Sequence, residues 1–585
     1  VRIAVAAGPG DGGELRPLAE DGAPAGPARA VPDLVAEIAE RERADAPRWV
    51  WPSTARLYPR LLRAGVRVAR CHDLELVESL LLGHAGRYGE PRSVRAAWAR
   101  SRGEPVPSDP PPVPEASPQA SLFDDDPAGR EARPPDDLGQ IVAVHAAQQR
   151  AAAGLDGFAL LAAAESAGSL VAAEMSHDGL PWSAEEHDAL LTGLLGPRPT
   201  GGLRPRRLQE LADSISAAFG RRTHVNPDSP AQILKAFAAA GLPIPSTRAH
   251  VLKRLDHPAV PLLLEYKELA RLHAAHGWAW LDAWVSDGRF RPEYVVGGVV
   301  SGRWATNGGG ALQIPRVLRK AVVADPGWCL VVADAAQLEP RVLAALAGDR
   351  AFSDAAAHGD LYAALSDAFR TTSARAGGSP EGADGLSPRD KAKLALLSAM
   401  YGGGTTEAVQ LLGVLKSRFP DALEYVEAAA RAGERGLLVR SRLGRTCPPP
   451  SAGWRELTSA GDDEPGDGTG PASAPDGIAS GRGNAAQALR SRGRFTRNFV
   501  VQATAADWAL ALLGSLRRRL TALGPPHLVF FQHDEVIVHA PAALAGEVTE
   551  AVRAAAEEAR RLLFGDTPVV FPMEIAVVDR YSDAK

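Results

Sequence analysis

Residues 329–341 run Cys329-Leu-Val-Val-Ala-Asp334-Ala-Ala-Gln337-Leu-Glu339-Pro340-Arg341, and the reading of the whole chain turns on them. An apolar run that stops at a carboxylate reads as a strand. Gln337 onwards, with Val342, Leu343 and Leu346, reads as a turn followed by a helix. Pro340 falls in the first helical turn, where a missing N–H does no harm. Asp334 is therefore expected at a strand end, where a side chain can be aimed into a cleft.

Far downstream, His533-Asp534-Glu535 interrupts two apolar runs, Leu528-Val-Phe-Phe531 and Val536-Ile-Val-His539, and reads as the tip of a β-hairpin. If that hairpin and the strand of Asp334 share a sheet, the carboxylates converge. Mg²⁺ favours one or two carboxylates completed by substrate phosphates. Two such ions about 4 Å apart can activate an attacking hydroxyl and steady a leaving oxygen. Taken one at a time, Asp334 could equally be a helix N-cap and His533 to Glu535 an ordinary polar turn.

Between the two lies Ser387-Pro388-Arg389-x3-Lys393-x7-Tyr401-Gly402. Arg389, Lys393, Leu397 and Tyr401 recur every fourth residue and share one slowly drifting helical face. Ser387 and Pro388 supply a helix start, and Gly402 with the two glycines after it a stop. Cations at one end and an aromatic ring at the other suit a nucleoside triphosphate, phosphates on the cations and base near the ring. Alone, the same pattern fits an amphipathic helix with Tyr401 in a core.

At 585 residues the chain is too long for one core and suggests two to four domains. Hydrophobic content of 45% and charged content of 23% are ordinary for a globular protein. The net charge of −5 is wrong for a protein that coats DNA, but local patches count for more than the total. Basic clusters occur at 204–207, 221–222, 435–445, 490–497 and 517–519, each a DNA-facing patch or simply a solvated face. Cys71, Cys329 and Cys447 share no short spacing, so neither a disulfide framework nor a zinc site is implied. No apolar stretch reaches bilayer-spanning length and no signal peptide is recognised, so a cytoplasmic location without membrane contact is expected. The Pro-, Ser- and Asp-rich stretch 104–137 and the acidic, Gly-rich stretch 459–483 are expected to be disordered.

In sequence order these pieces resemble family A DNA polymerases, the bacterial DNA polymerase I type. The family's Asp-Tyr-Ser-Gln-Ile-Glu-Leu-Arg is matched by residues 334–341, its Arg-x3-Lys-x7-Tyr-Gly by 389–402, and its His-Asp-Glu hairpin by 533–535. Ser301-Gly-Arg303, Leu312-Gln-Ile-Pro315 and Arg494-x3-Asn498-x3-Gln502 through Asp507 fall in the family's order as well. The resemblance covers about residues 150–585. It implies an α+β multidomain protein: a right-hand polymerase with an antiparallel palm sheet and helical fingers and thumb, preceded by an RNase H-like α/β exonuclease-type domain. The expected division is 1–150 exonuclease-like, 151–290 thumb, 291–345 with 500–585 palm, and 346–499 fingers.

The resemblance also implies roles. Asp334 and Asp534, with the Ala335 carbonyl, would hold two Mg²⁺ ions, with Glu535 nearby as a catalytic accessory. Arg389 and Lys393 would bind the triphosphate. Glu339 would screen out ribose, Tyr401 guard the template base, and Gln337, Leu397 and Tyr362 complete the nucleotide site. Arg303, Arg494, Asn498 and Gln502 would follow the primer–template, and His533 would lie beside the primer terminus. The partners implied are primer–template DNA and dNTPs, the protein acting as a monomer at the nucleoid. Leu397 stands where the family carries Phe or Tyr, and Tyr362 where it carries histidine.

The amino-terminal stretch 65–82 resembles an internal part of the family's 3′–5′ exonuclease domain. Proofreading needs Asp-x-Glu on the first strand and two later aspartates. Here the first strand, Arg2-Ile-Ala-Val-Ala-Ala-Gly8, has no acid, and His145 stands where the last aspartate is expected. The reading is an exonuclease-like domain without exonuclease chemistry, with no room for a 5′-nuclease. A bifunctional polymerase–exonuclease and a DNA-binding scaffold with a decayed site are the alternatives.

Overall fold

The computed structural model describes residues 1–110, 136–220, 224–307, 310, 314–366, 387–401, 406–459 and 481–584. Gly402, Leu312, Gln313, the basic pair 221–222 and most of the two stretches expected to be disordered lie outside the described residues. The chain forms two compact units. The first gathers Val1–His177, Tyr294–Ala305 and Ala333–Ile575, and the second Asp178–Glu293, Thr306–Val332 and Ala576–Lys585.

The first unit begins with a sheet of β1 (Arg2–Ala7), β2 (Gly13–Leu18), β3 (Arg29–Val31), β4 (Arg48–Trp51) and β5 (Arg70–Asp73), in the order β3-β2-β1-β4-β5. β1 runs antiparallel to β2 but parallel to β4, which is parallel to β5. This mixed α/β sheet fits the fold expected of the amino-terminal region. Alternation along β1 sends Ile3 and Val5 into one core with Trp49, Trp51 and Tyr58. Ala4 and Ala6 enter a second core with Val50, Ile141 and Val142 of helix α1 (Leu138–Ala152). Small residues on that face let the helix approach closely, and β1 is buried on both sides.

Helix α2 (Phe158–Asp178) is buried almost all round, and its Leu170 joins the first of those cores. It and the long helix α5 (Gly481–Leu523) correct one expectation, because both contain stretches long and apolar enough to cross a bilayer. Those stretches are 72% and 89% buried within the protein, which is the ordinary state of core helices.

The second sheet is built from β6 (Trp328–Ala335), β7 (His527–Gln532), β8 (Glu535–Pro541) and β9 (Met573–Val578), in the order β7-β8-β6-β9. β7 and β8 form the antiparallel hairpin read from the sequence. β6 is followed by helix α3 (Leu338–Ala347), with Pro340 in its first turn. The boundary between units passes through β6 and β9, leaving Ala333–Ala335 and the whole hairpin in the first unit. Helix α4 (Pro388–Tyr401) begins as expected, the Ser387 hydroxyl accepting the Asp390 N–H at 3.1 Å. Helix α6 (Ala545–Phe564) packs beside α5.

The second unit is mainly helical, with helices at Ala184–Leu195, Arg206–Ala218, Pro230–Ala239 and Ala259–His276. Its centre is an aromatic cluster of Trp182, His187, Trp280 and Phe290. Trp182 Nε1 donates to His187 Nδ1 at 3.2 Å, so His187 carries its proton on Nε2 and donates to the His276 carbonyl at 2.9 Å.

Candidate active site

Asp334 is the penultimate residue of β6, and Asp534 sits in the two-residue link of the β7–β8 hairpin. The Asp534 N–H donates to the Gln532 carbonyl at 2.7 Å, and His533 between them has φ of 56°. A three-residue turn centred on a left-handed, non-glycine residue is strained, and such strain collects at functional sites. The Ala335 N–H donates to the Asp534 carbonyl at 3.0 Å, stitching the strand end to the hairpin tip. The hairpin and the strand of Asp334 do share a sheet, which brings the two aspartates together.

The Asp534 carboxyl is pushed up to about 7, first by burial and then by the negative charge of Asp334. A carboxylate disfavoured by burial and by a neighbouring negative charge is relieved by a cation. Glu535, the first residue of β8, is buried. Among the described residues no group of three or more Asp, Glu, His or Cys side chains is arranged to hold a metal. The pair Asp334 and Asp534 with a main-chain carbonyl fits a Mg²⁺ that takes its remaining ligands from substrate and water.

Beside the aspartates is a cavity of ≈ 240 Å³ lined by Arg303, Gln337, Glu339, Tyr401, His533 and Asp534. Glu339 crosses it, accepting from the Arg303 guanidinium on one oxygen and the Tyr401 hydroxyl on the other. Burial and that Glu339 contact raise the Tyr401 phenol above its usual range, and Gln502 of α5 bonds to the same hydroxyl. Arg303, expected on the primer–template, is therefore paired with the residue expected to screen ribose. His533 is held below its usual value by burial and by Arg303.

Three of the other nucleotide candidates, Arg389, Lys393 and Leu397, lie along α4. Arg389 and Lys393 are exposed and Leu397 is half-buried, while Ala392, Ala395, Leu396, Ala399 and Met400 turn inward. Arg389 Nε donates to Asp360 at 2.9 Å, and its guanidinium stands 5.7 Å from the centre of the Tyr362 ring. Gln337 joins this group to the cavity. Its Nε2 donates to Asp360 at 3.0 Å, and its Oε1 accepts from the Leu361 N–H at 2.9 Å and from Arg341 at 3.2 Å. Gln337 itself is left-handed, with φ of 56°. On α5, Arg494 is exposed, and Asn498 and Gln502 are partly buried at the next two turns.

Two residues without an expected role organise this ground. Arg341 is fully buried and donates to the carbonyls of Ala336, Ala356, His358, Gly359 and Val570, tying the β6–α3 turn to the segment 356–359 and to Val570. Asp360 holds Arg389 and Gln337 at once.

A model of DNA polymerase family A matches residues 204–581. The chain belongs to DNA polymerase family A. It is 30% identical over 359 residues to the thermostable DNA polymerase I of Thermus thermophilus, a match that takes in 57% of this chain and 37% of that protein. It is 28% identical over 318 residues to DNA polymerase I of Chloroflexus aurantiacus, covering 51% of this chain and 30% of the relative. The matches thus span about a third of the length of these relatives. The fold matches that of a structure described as the POL domain of Pol1 from M. smegmatis in complex with DNA primer-template and dNTP. The TM-score is 0.68 at 18% identity, over 100% of this chain and 95% of that one.

Two buried ion pairs lie in the first unit of this family A chain, one of them beside the site. Arg445 donates to Asp507 at 2.8 Å and to Glu165 at 2.7 Å, and the Ser441 hydroxyl donates to Asp507 at 2.6 Å. The Arg445 guanidinium lies directly against Gly302, where a Cβ would collide with it. The glycine before Arg303 is thus required by close approach, and the buried pair sets the height of the loop that carries Arg303. Arg517 donates to both oxygens of Glu174, at 2.9 and 2.7 Å, and to the carbonyls of Val68 and Ala69. Arg445 and Arg517 belong to basic clusters read as DNA-facing or solvated. They are neither, and the neighbouring Arg518 and Arg519 pair with Glu558.

Proposed function

We propose that the chain is a template-directed DNA polymerase that adds dNMP from dNTP to a primer 3′-hydroxyl in replication or repair, without proofreading. The observation that carries this is the meeting of Asp334 and Asp534 beside a cavity edged by Glu339 and Tyr401, with the cationic face of α4 alongside. It is supported by membership of the family and by a fold shared with a Pol1 POL domain.

On this reading Asp334, Asp534 and the Ala335 carbonyl would hold two Mg²⁺ ions, which would lower the pKa of the primer hydroxyl and offset charge on the phosphates. The chain's own part is positioning. Arg389 and Lys393 grip the triphosphate, as charge-assisted donors do. Glu339, held between Arg303 and Tyr401, fills the space a ribose 2′-hydroxyl needs. Arg494, Asn498 and Gln502 track the primer–template along α5, and His533 stands at the primer end. Residues 151–290 serve as thumb, 291–345 with 500–585 as palm, and 346–499 as fingers. The protein works as a cytoplasmic monomer at the nucleoid.

The absence of proofreading rests on β1 and α1. The β1 side chains that would carry Asp-x-Glu are apolar and buried on both faces. His145, in place of an acid, packs its ring edge-on against His72 at 4.9 Å. Primer extension with Mg²⁺ and dNTPs, run beside degradation of a mismatched primer without dNTPs, tests the whole reading. Extension without degradation is expected. No extension would favour a DNA-binding scaffold, and Mg²⁺-dependent shortening a bifunctional enzyme.

Leu397 gives a sharper test. A leucine cannot stack on the incoming sugar as an aromatic ring does, so Leu397→Phe should change the preference for deoxy over dideoxy nucleotides in single-nucleotide incorporation. The same ratio in both proteins would refute the assignment of Leu397 to the nucleotide site.

A further inference from the structure

The cationic helix and the metal-side turn are joined through one carboxylate that no part of the reaction uses. Asp360 Oδ2 accepts from Arg389 Nε at 2.9 Å, and Oδ1 accepts from Gln337 Nε2 at 3.0 Å and from the Ala363 N–H at 3.1 Å. Burial works against its charge, but the bonds from Arg389, Ala363 and Gln337 prevail and hold the carboxyl down at about 2. Gln337 is the left-handed residue between β6, which carries Asp334, and α3, which carries Glu339. Arg389 is thus not simply available to a phosphate: its guanidinium is tied to an acid and flanked by the Tyr362 ring.

Resting on the polymerase reading, we propose that Asp360 is a positioning residue that parks Arg389 until a nucleotide triphosphate displaces it. The triphosphate, with more negative charge and more acceptor oxygens, takes the guanidinium from Asp360. Asp360 keeps its bonds to Gln337 and Ala363, so the β6–α3 turn stays fixed while α4 changes partner. The pair is half exposed on both sides, at 50% and 42%, so it is weak enough to be exchanged.

The two duties can be separated by two substitutions. Asp360→Asn retains an acceptor oxygen for Gln337 and for the Ala363 N–H but removes the charge that competes for Arg389. It should tighten binding of inorganic tripolyphosphate, followed by calorimetry, by about twofold to fivefold, the scale of an exposed ion pair. The KM for dNTP should fall by a similar factor. Asp360→Ala frees Arg389 too but removes the support of Gln337, so its kcat should drop below that of the asparagine variant. In Arg389→Ala, adding Asp360→Asn should have no further effect on tripolyphosphate binding. Unchanged or weaker tripolyphosphate binding by Asp360→Asn overturns the parking role. Equal kcat in the two Asp360 variants overturns the positioning of Gln337. Because tripolyphosphate binding needs no catalysis, a protein that fails to extend primers would defeat the polymerase reading without deciding this one.

Discussion

Asp534→Asn should abolish primer extension and at the same time make the metal-free protein harder to melt at pH 8. The loss of synthesis follows from removing one of two carboxylates assigned to the metals. Several kcal/mol of charge stabilisation disappear with it, a rate loss of about a thousandfold or more. The stability gain follows from the carboxyl's upward displacement from 3.8 to about 7. A raised acid destabilises the folded state wherever it is ionised, a cost that begins above the unfolded value and is complete above the folded one. Discounted for partial exposure, it is on the order of 2 kcal/mol. The variant's advantage in melting temperature in EDTA should therefore vanish near pH 4, grow through neutrality and level off by pH 8. Mg²⁺ should then raise the melting temperature of the natural protein more than that of the variant. Retained synthesis would overturn the metal assignment. An advantage equal at pH 4 and pH 8 would show that the substitution acts through packing instead of charge.

The second large effect lies away from the chemistry. Glu174→Gln leaves the Arg517 guanidinium buried without its counter-charge, which should cost about 3–5 kcal/mol. Urea unfolding followed by tryptophan fluorescence reads this out, since Trp49 and Trp51 lie in the adjoining core. Replacing both partners, Glu174→Leu with Arg517→Met, should recover most of the loss, because desolvated charges are then absent altogether. A loss below about 1 kcal/mol in the single variant would mean that the pair is solvated and contributes as surface pairs do.

The parts of the site that rest on local pattern were legible before any coordinates. The apolar run to Asp334, the hairpin around Asp534 and the Ser387–Pro388 helix start are each set by neighbours within a few residues, and each appears where the pattern put it. Pattern could not show that Gln337 and His533 adopt left-handed backbone, since both are residues for which that state is uncommon. Nor could it sort the arginines. Arg445 meets Glu165 and Arg517 meets Glu174 across 280 and 343 residues of sequence, and nothing in a run of basic residues marks which will be buried. Asp360 was visible beside Tyr362, but its task depends on two partners from separate elements. One expectation fails: no apolar stretch is expected to be long enough to cross a bilayer, yet α2 and α5 match one in length and hydropathy, and their packing identifies them as core.

Helix α2 bears on what the amino-terminal region can become. Along one side it meets Cys71 and Asp73 through Ser166, Thr54 through Ser169, and Tyr58 and Arg517 through Glu174. A module that can be cut away, swapped or lost needs a surface that tolerates water once exposed. These groups do not offer one: release would uncover the Ser166 and Ser169 hydroxyls and take from the buried Arg517–Glu174 pair the Val68 and Ala69 carbonyls and the Tyr58 hydroxyl. A region held this way is part of the packing of the first unit. Trimming the chain ahead of α1 should therefore yield an insoluble product and not a smaller folded protein.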